Sequence, residues 1–392
     1  MWTTNLHEFY FGLQFNLMEP QADNNLQSNV EFRNLDTQSP GHQTVISKQG
    51  NNKFLLIILL ILVAISLSLS FLILRKDVAQ PKITGLEVAL KTASFLDKTF
   101  KLDGSFVSGF SCTKSSGECV SVPLSVEQPH IGQAVYGYYI LAEASGNQSF
   151  REKADLAMTY ILDNCEKDIR FCEWNFFPLA QYYFDTHDEK YLQQGMLPPA
   201  EKLLTLSSTT IIEANVGHKL ASLYQATGDV RYKDRLIAVA EDELKNWPGD
   251  EDKFLHSIQI SWSIFLPSYN ITKDPKYLNA VEVFFGSFNT SENLHKFGAA
   301  DSAVRAVDAL LSLSLISENG AMYKTQAHTV LQDLLYNIWD TPQNIKVNGD
   351  YGFLNNFRET DKAVKSVLFN GWLIKLFVLM KDEVFLVGPV IK

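Results

Sequence analysis

The chain has 392 residues, 46% of them hydrophobic and 20% charged, which is enough apolar material to bury a large core. Its formal net charge is −10 and it has no basic stretch, which excludes nucleic acid as the main partner.

Residues 1–52 are polar, rich in Asn and Gln and without an apolar period, and are expected to form a disordered tail. Within residues 53–76 lies FLLIILLILVAISLSLSFLIL, positions 54–74, bounded by Lys53, Arg75 and Lys76. At ~1.5 Å per helical residue this stretch spans the hydrocarbon core of a bilayer. It is too long and too far from the start for a secretory signal, and no small-residue cleavage site follows it. A single-pass transmembrane helix is expected. Flanking positive charge is similar on both sides and does not orient the span. All four cysteines, and the glycosylation-type triplets at Asn147, Asn270 and Asn289, follow it. That pattern places the tail inside and the C-terminal domain outside the cytoplasm.

Residues 77–83, with Pro81, read as a linker, and the globular domain is expected over 84–392. Its first helix is LEVALKTASFLDKTF. Helical pairs follow near 130–144 and 150–163, 174–185 and 189–205, 213–226 and 230–246, 256–268 and 275–288, and 299–317 and 321–338. A last helix spans 362–380. Cys112 with Cys119, and Cys165 with Cys172, flank short polar loops; paired, they would clip both loops in an oxidising compartment, the alternatives being reduced thiols or a metal site. There is no CxxC and no His–Cys cluster, so neither a metal nor a cofactor is expected.

The clearest unit is EANVGHKLASLYQATGDVRYKDRLIAVAEDELKNW, residues 213–247. Gly228 can end one helix in a left-handed conformation, and Asp229 can cap the next. An aromatic follows each such turn at Phe150, Tyr191, Tyr232, Tyr277 and Tyr323, at spacings of 41, 41, 45 and 46 residues. That period marks stacked helical hairpins. The first and last helices are each half a hairpin. If they pair, twelve helices make six hairpins and the ring closes. An open stack would need polar end caps, and the apolar last helix is not one.

Six hairpins carrying phrases such as LASLYQATGDVRYKDRLIAVAEDEL and LDGSFVSG resemble the (α/α)6 toroids of the six-hairpin glycosidase-like superfamily. The resemblance spans about residues 84–380 and rests on repeat architecture, not on a catalytic signature. It implies an all-α toroid with a sugar-binding cleft where the chain enters the inner helices, and carboxylates as acid and base. Terpene-cyclase and lanthionine-cyclase toroids are more distant, since no DDxxD run and no Cys/His zinc set are present.

If the first helix of each pair is the inner one, the segments before it build the mouth. Glu173, Glu213 and Asp301 then stand at inner-helix starts beside aromatic or apolar residues and are the candidate catalytic acids. Glycosidic cleavage needs one carboxyl protonated and one ionised. Asp103, His130, Trp174, His218, His256, Arg305, Asp350 and Tyr351 are the candidate substrate-binding residues, with Glu127 and Gln259 on the same rim. The plain alternatives are helix-start acids complementing the dipole, core histidines, and an i,i+4 ion pair between Asp301 and Arg305. Tyr136, Tyr139, Tyr182 and Trp262 read as core. The expected function is an extracytoplasmic, membrane-anchored glycoside hydrolase acting on an oligosaccharide or glycan. The alternative is a non-catalytic toroid binding a glycan or a protein.

Overall fold

The computed structural model describes residues 81–125, 129–213, 215–245, 247, 254–288, 300–342, 345–355 and 361–387. The expected tail and membrane span lie outside these residues. Among the described residues no helix is long and apolar enough to cross a membrane.

The fold is mostly helical, with two small sheets that the all-helical expectation missed. The elements, in order, are β1 (Lys82–Thr84), α1 (Gly85–Thr99), β2 (Gly109–Thr113), β3 (Cys119–Val122), α2 (Gly132–Ser145), α3 (Gln148–Cys165), α4 (Ile169–Trp174) and α5 (Phe176–Thr186). Next come α6 (Tyr191–Met196, wound as a π-helix), α7 (Ala200–Thr205), α8 (Ser208–Glu213), α9 (Val216–Thr227) and α10 (Val230–Leu244). The fourth inner element is continuous: α11 (Phe254–Ile260), a π-helical turn at Ser261–Phe265, and α12 (Leu266–Thr272). The chain ends with α13 (Pro275–Gly286), α14 (Ala300–Ile316), α15 (Gly320–Ile338), β4 (Lys362–Ser366), α16 (Val367–Leu379) and β5 (Val384–Leu386).

Four of the hairpins follow one local rule, and the α14–α15 hairpin, whose Asn319 makes no side-chain cap, does not. A residue in the left-handed region ends the inner helix, and an Asx side chain caps the outer one. The pairs are Gly146–Asn147, His187–Asp188, Gly228–Asp229 and Lys273–Asp274. Each cap accepts the amide two residues on, at 3.0–3.1 Å, satisfying a donor that the helix cannot. The repeating aromatics Phe150, Tyr191, Tyr232, Tyr277 and Tyr323 are all buried one turn later.

Neighbouring inner helices pack in the order α2, α5, α9, α11–α12, α14, α16, and α16 returns to α2. The outer partners are α3, α6, α10, α13, α15 and, for α16, the first helix α1. The ring therefore closes as an (α/α)6 toroid, through the pairing of first and last helices. The closing seam is tight: a Cβ on Gly371 would lie 2.4 Å from the Ala134 amide nitrogen, so only glycine lets α16 approach α2.

The strands fasten the ends. β1 pairs with β5 in antiparallel register, Ile83 opposite Phe385. β2 sits between β3 and β4. The expected last helix over 362–380 begins instead at Val367. Residues Lys362–Ser366 pair with β2, and Ser366 caps the helix by accepting the Phe369 amide at 3.2 Å. Both expected disulfides are present, Cys112–Cys119 across the β2–β3 hairpin and Cys165–Cys172 between α3 and α4. Asn147 is exposed, whereas Asn270 is buried on α12, so its NIT triplet is no surface glycosylation site.

Candidate active site

The N-terminal ends of the inner helices define one face of the ring, the mouth. Its rim is assembled by short polar contacts. Asn175, fully buried just before α5, accepts the Ile131 amide at 2.9 Å and donates to the Pro129 and Phe171 carbonyls at 2.8 and 2.9 Å. This clamp holds His130 against Trp174, ring centroids 4.2 Å apart. Burial and then the nearby Lys219 charge push His130 down to about 4, so it is neutral. Lys219 is itself buried and donates to the Glu173 carbonyl at 2.7 Å, capping the last turn of α4. Burial lowers it to about 8, against the pull of Glu173.

Below the rim the inner helices converge on Asp308. Trp262 and Trp372 each donate an indole N–H to its Oδ2, at 3.1 and 3.2 Å, and Lys375 Nζ stands 3.0 Å from both oxygens. The π-helical turn places Trp262 in this cluster, a common use of such turns. Phe177 and His218 line the same space, His218 lying 4.6 Å from Trp262 and 5.8 Å from Phe177 between ring centroids. Burial drives His218 down to about 4, with Asp308 opposing, Lys375 assisting, and a hydrogen bond to the Trp262 backbone opposing. Its Nε2 is sealed without a partner. Burial, Asp185 and Asp308 all raise the Tyr136 phenol. Asp185, two helical turns after Phe177, is raised mainly by burial. Tyr136 and His218 lie deep in the molecule yet keep accessible surface, which requires a concavity.

The sequence-derived candidates divide. His130, Trp174, His218, Asp301 and Arg305 belong to the mouth or the cleft. Asp301 meets Arg305 at 3.1 Å, the i,i+4 pair, and the Arg305 guanidinium lies 6.0 Å from the Trp262 ring. Glu173 is also on the rim, but its carboxylate pairs with Lys202 at 2.7 Å. The Glu213 side chain and Glu127 lie outside the described residues. Gln259 is buried and spends its amide on the Ile212 carbonyl, 2.8 Å, and on Asn215. The remaining four candidates make contacts away from the Asp308 cluster. Asp103 closes its own turn, accepting from the Ser105 amide and hydroxyl at 3.0 and 2.6 Å. His256 is exposed and faces Glu243 at 3.8 Å. Asp350 holds the buried Lys365 at 2.5 Å, and Tyr351 packs on Trp339.

Asp308, Lys375 and Trp372 were missed. The available signal was a charge set in an apolar run: Asp308 in AVDALLSLSL and Lys375 in GWLIKLFVLM. Tyr136, expected in the core, borders the cleft; Tyr139, Tyr182 and Trp262 are core.

No protein-family model matches the sequence, and no curated protein matches it. Solved structures do. An unsaturated glucuronyl hydrolase mutant from Streptococcus agalactiae aligns with TM-score 0.56 and 12% identity, over 75% of this chain and 89% of that one. Another mutant of that enzyme, complexed with dGlcA-GalNAc6S, aligns with TM-score 0.54, also at 12% identity, over 75% and 90%. An inactive variant of the alpha-1,6-mannanase GH76A of Salegentibacter sp. HEL1_6, in complex with alpha-1,6-mannotetrose, gives TM-score 0.53 at 11% identity, over 76% of this chain and all of that one. The shared property is the fold, an (α/α)6 toroid.

Proposed function

We propose that this chain is a membrane-anchored, extracytoplasmic protein that takes a glycan into the mouth of the ring and hydrolyses a glycosidic bond. The observation that carries the reading is the cleft itself. A hydrolase needs one carboxyl that stays protonated and one that stays ionised. Asp308, beside an ammonium and two indole donors, has the surroundings of an ionised carboxylate. Burial raises Asp185, against hydrogen bonds from Tyr139 and Gln181, and the Tyr136 phenol feels both carboxyls. The solved neighbours supply an analogy of fold only. The anchor rests on the apolar stretch 54–74, and the location on two disulfides in the domain.

The second reading, a non-catalytic glycan-binding toroid, is favoured by one observation: both Asp308 oxygens already accept donors. Incubating the detergent-solubilised full chain with alpha-1,6-mannotetraose, and separately with unsaturated chondroitin disaccharides, distinguishes the two. Shortened products that disappear with Asp308→Asn support hydrolysis. Binding without products supports the second reading. Protease digestion of right-side-out vesicles tests the location, and a shielded C-terminal domain would contradict it.

A further inference from the structure

Four tyrosines lie deepest in the molecule, and three of them spend their hydroxyls inside the fold. Tyr138 donates to Asp97 at 2.7 Å, Tyr182 donates to Asp155 at 2.9 Å, and Tyr139 donates to Asp185. The fourth, Tyr136 on the second turn of α2, does not. Its hydroxyl has no partner among the described residues, yet the oxygen is not sealed off and the side chain keeps accessible surface. A phenol set this deep ordinarily bonds to the protein around it, so an open one faces something else. Its surroundings define what it can hold. Lys375 Nζ lies 5.8 Å over the Tyr136 ring and stands 3.0 Å from both oxygens of Asp308. Burial first, then Asp185 and Asp308, hold the phenol far above its usual range, so it stays an O–H at any physiological pH.

We propose that the Tyr136 hydroxyl is a ligand-binding group, which holds an uncharged oxygen of the glycan, a hydroxyl or the acetal bridge, in the space beside Asp308. This rests on the glycan reading above and adds to it the residue that fixes where the ligand stops. A phenol both donates and accepts, so it can meet either kind of oxygen. An anion in that place would face Asp308 and Asp185, and a cation would face the Lys375 ammonium. A neutral oxygen meets neither objection. A few such placed polar groups are what give an apolar-lined cleft its direction. The ring of Tyr136 carries the Lys375 contact and the hydroxyl carries none, so the two ends of this side chain are separable by mutation.

The test compares Tyr136→Phe with Tyr138→Phe in the detergent-solubilised full chain. Affinity is read by isothermal titration with alpha-1,6-mannotetraose and with an unsaturated chondroitin disaccharide, and stability by urea midpoints. Tyr136→Phe should weaken whichever probe the wild type binds by about three- to tenfold and leave the midpoint unchanged. Tyr138→Phe, which strips a hydroxyl bonded inside the fold, should lower the midpoint and leave affinity unchanged. If Tyr136→Phe does not fold, the wild type labelled at tyrosine 13Cζ decides by nuclear magnetic resonance: one tyrosine signal should move as the probe is added, and none moving overturns the proposal. Unchanged affinity in Tyr136→Phe, the result expected if the hydroxyl holds only a trapped water, also overturns it and leaves the glycan reading standing. Binding of neither probe removes both.

Discussion

The Lys375 ammonium stands 3.0 Å from each carboxylate oxygen of Asp308; Lys375 is the one charge of α16, and Asp308 is the most buried charge of α14, which carries Asp301 and Arg305 nearer its start. Neither helix could bury its charge alone. Removing one partner strands the other, at a cost of roughly 3–5 kcal/mol for a buried pair. Asp308→Ala should therefore lower the unfolding free energy by about that much in urea titrations. Asp308→Asn should lose less, because its amide oxygen still accepts the Trp262 and Trp372 indoles.

Lys365 provides a second case. Its ammonium is fully buried and is held by Asp340 at 2.6 Å, Asn348 at 2.7 Å and Asp350 at 2.5 Å. Asp340 also accepts the amides of Lys346, Val347, Asn348 and Gly349. Lys365→Met should cost roughly 3–5 kcal/mol by leaving two carboxylates facing each other. Burial alone would raise Asp340, but the Lys365 hydrogen bond, the amides and the Lys365 charge bring it below its ordinary value. Its stabilisation is thus present above the usual carboxylate range and is lost as pH falls through the lowered value. Acid unfolding monitored by circular dichroism should show this, and Lys365→Met should flatten the response.

His130 and His218 act in a higher pH window. Both are held at about 4 in the folded chain against an ordinary value of 6.5. The unfolded chain therefore binds protons that the folded chain refuses between those values. Stability present above pH 6.5 should decline steadily toward pH 4. Urea midpoints measured across that range should fall, and His218→Gln should remove its share of the slope.

The Cys165–Cys172 bridge ties the end of α3 to α4, whose last residues are Glu173 and Trp174. Replacing both cysteines with alanine should cost roughly 2 kcal/mol from the short closed loop. The effect should also reach the mouth. Nuclear magnetic resonance should find the His130 ring signals shifted, because Trp174 is no longer held against them.

At the second hairpin turn, His187 occupies the left-handed position that Gly146 and Gly228 fill elsewhere, with φ of 52°. That conformation costs a non-glycine residue about 1–2 kcal/mol. His187→Gly should raise Tm by about 2–4 °C in a calorimetric scan.

These cases also show what could be read from the chain alone. The turn grammar was legible because it is local: a left-handed residue, an Asx cap and an aromatic one turn on, repeated at similar spacing. Closure was legible because the first expected helix, LEVALKTASFLDKTF, and the last, over 362–380, each lacked a partner. The strand Lys362–Ser366 was not legible, since KAVKS continues directly into an apolar helix and its pairing partner lies some 250 residues earlier. Asp350 misled for the same reason. Its polar, aromatic surroundings suggested a rim, whereas its partner Lys365 is supplied by that unseen strand. The sequence pattern also favoured acids at helix starts, while the cleft's buried carboxylate lies more than two turns inside α14.

The pairing of β1 with β5 has a topological result. The domain's two ends run side by side, and every hairpin has a neighbour on each flank. The connection between first and last hairpin is thus geometrically equivalent to any other. A circularly permuted chain, with old ends joined by a few glycines and new ones opened at the exposed Gly228–Asp229 turn, should fold to the same ring.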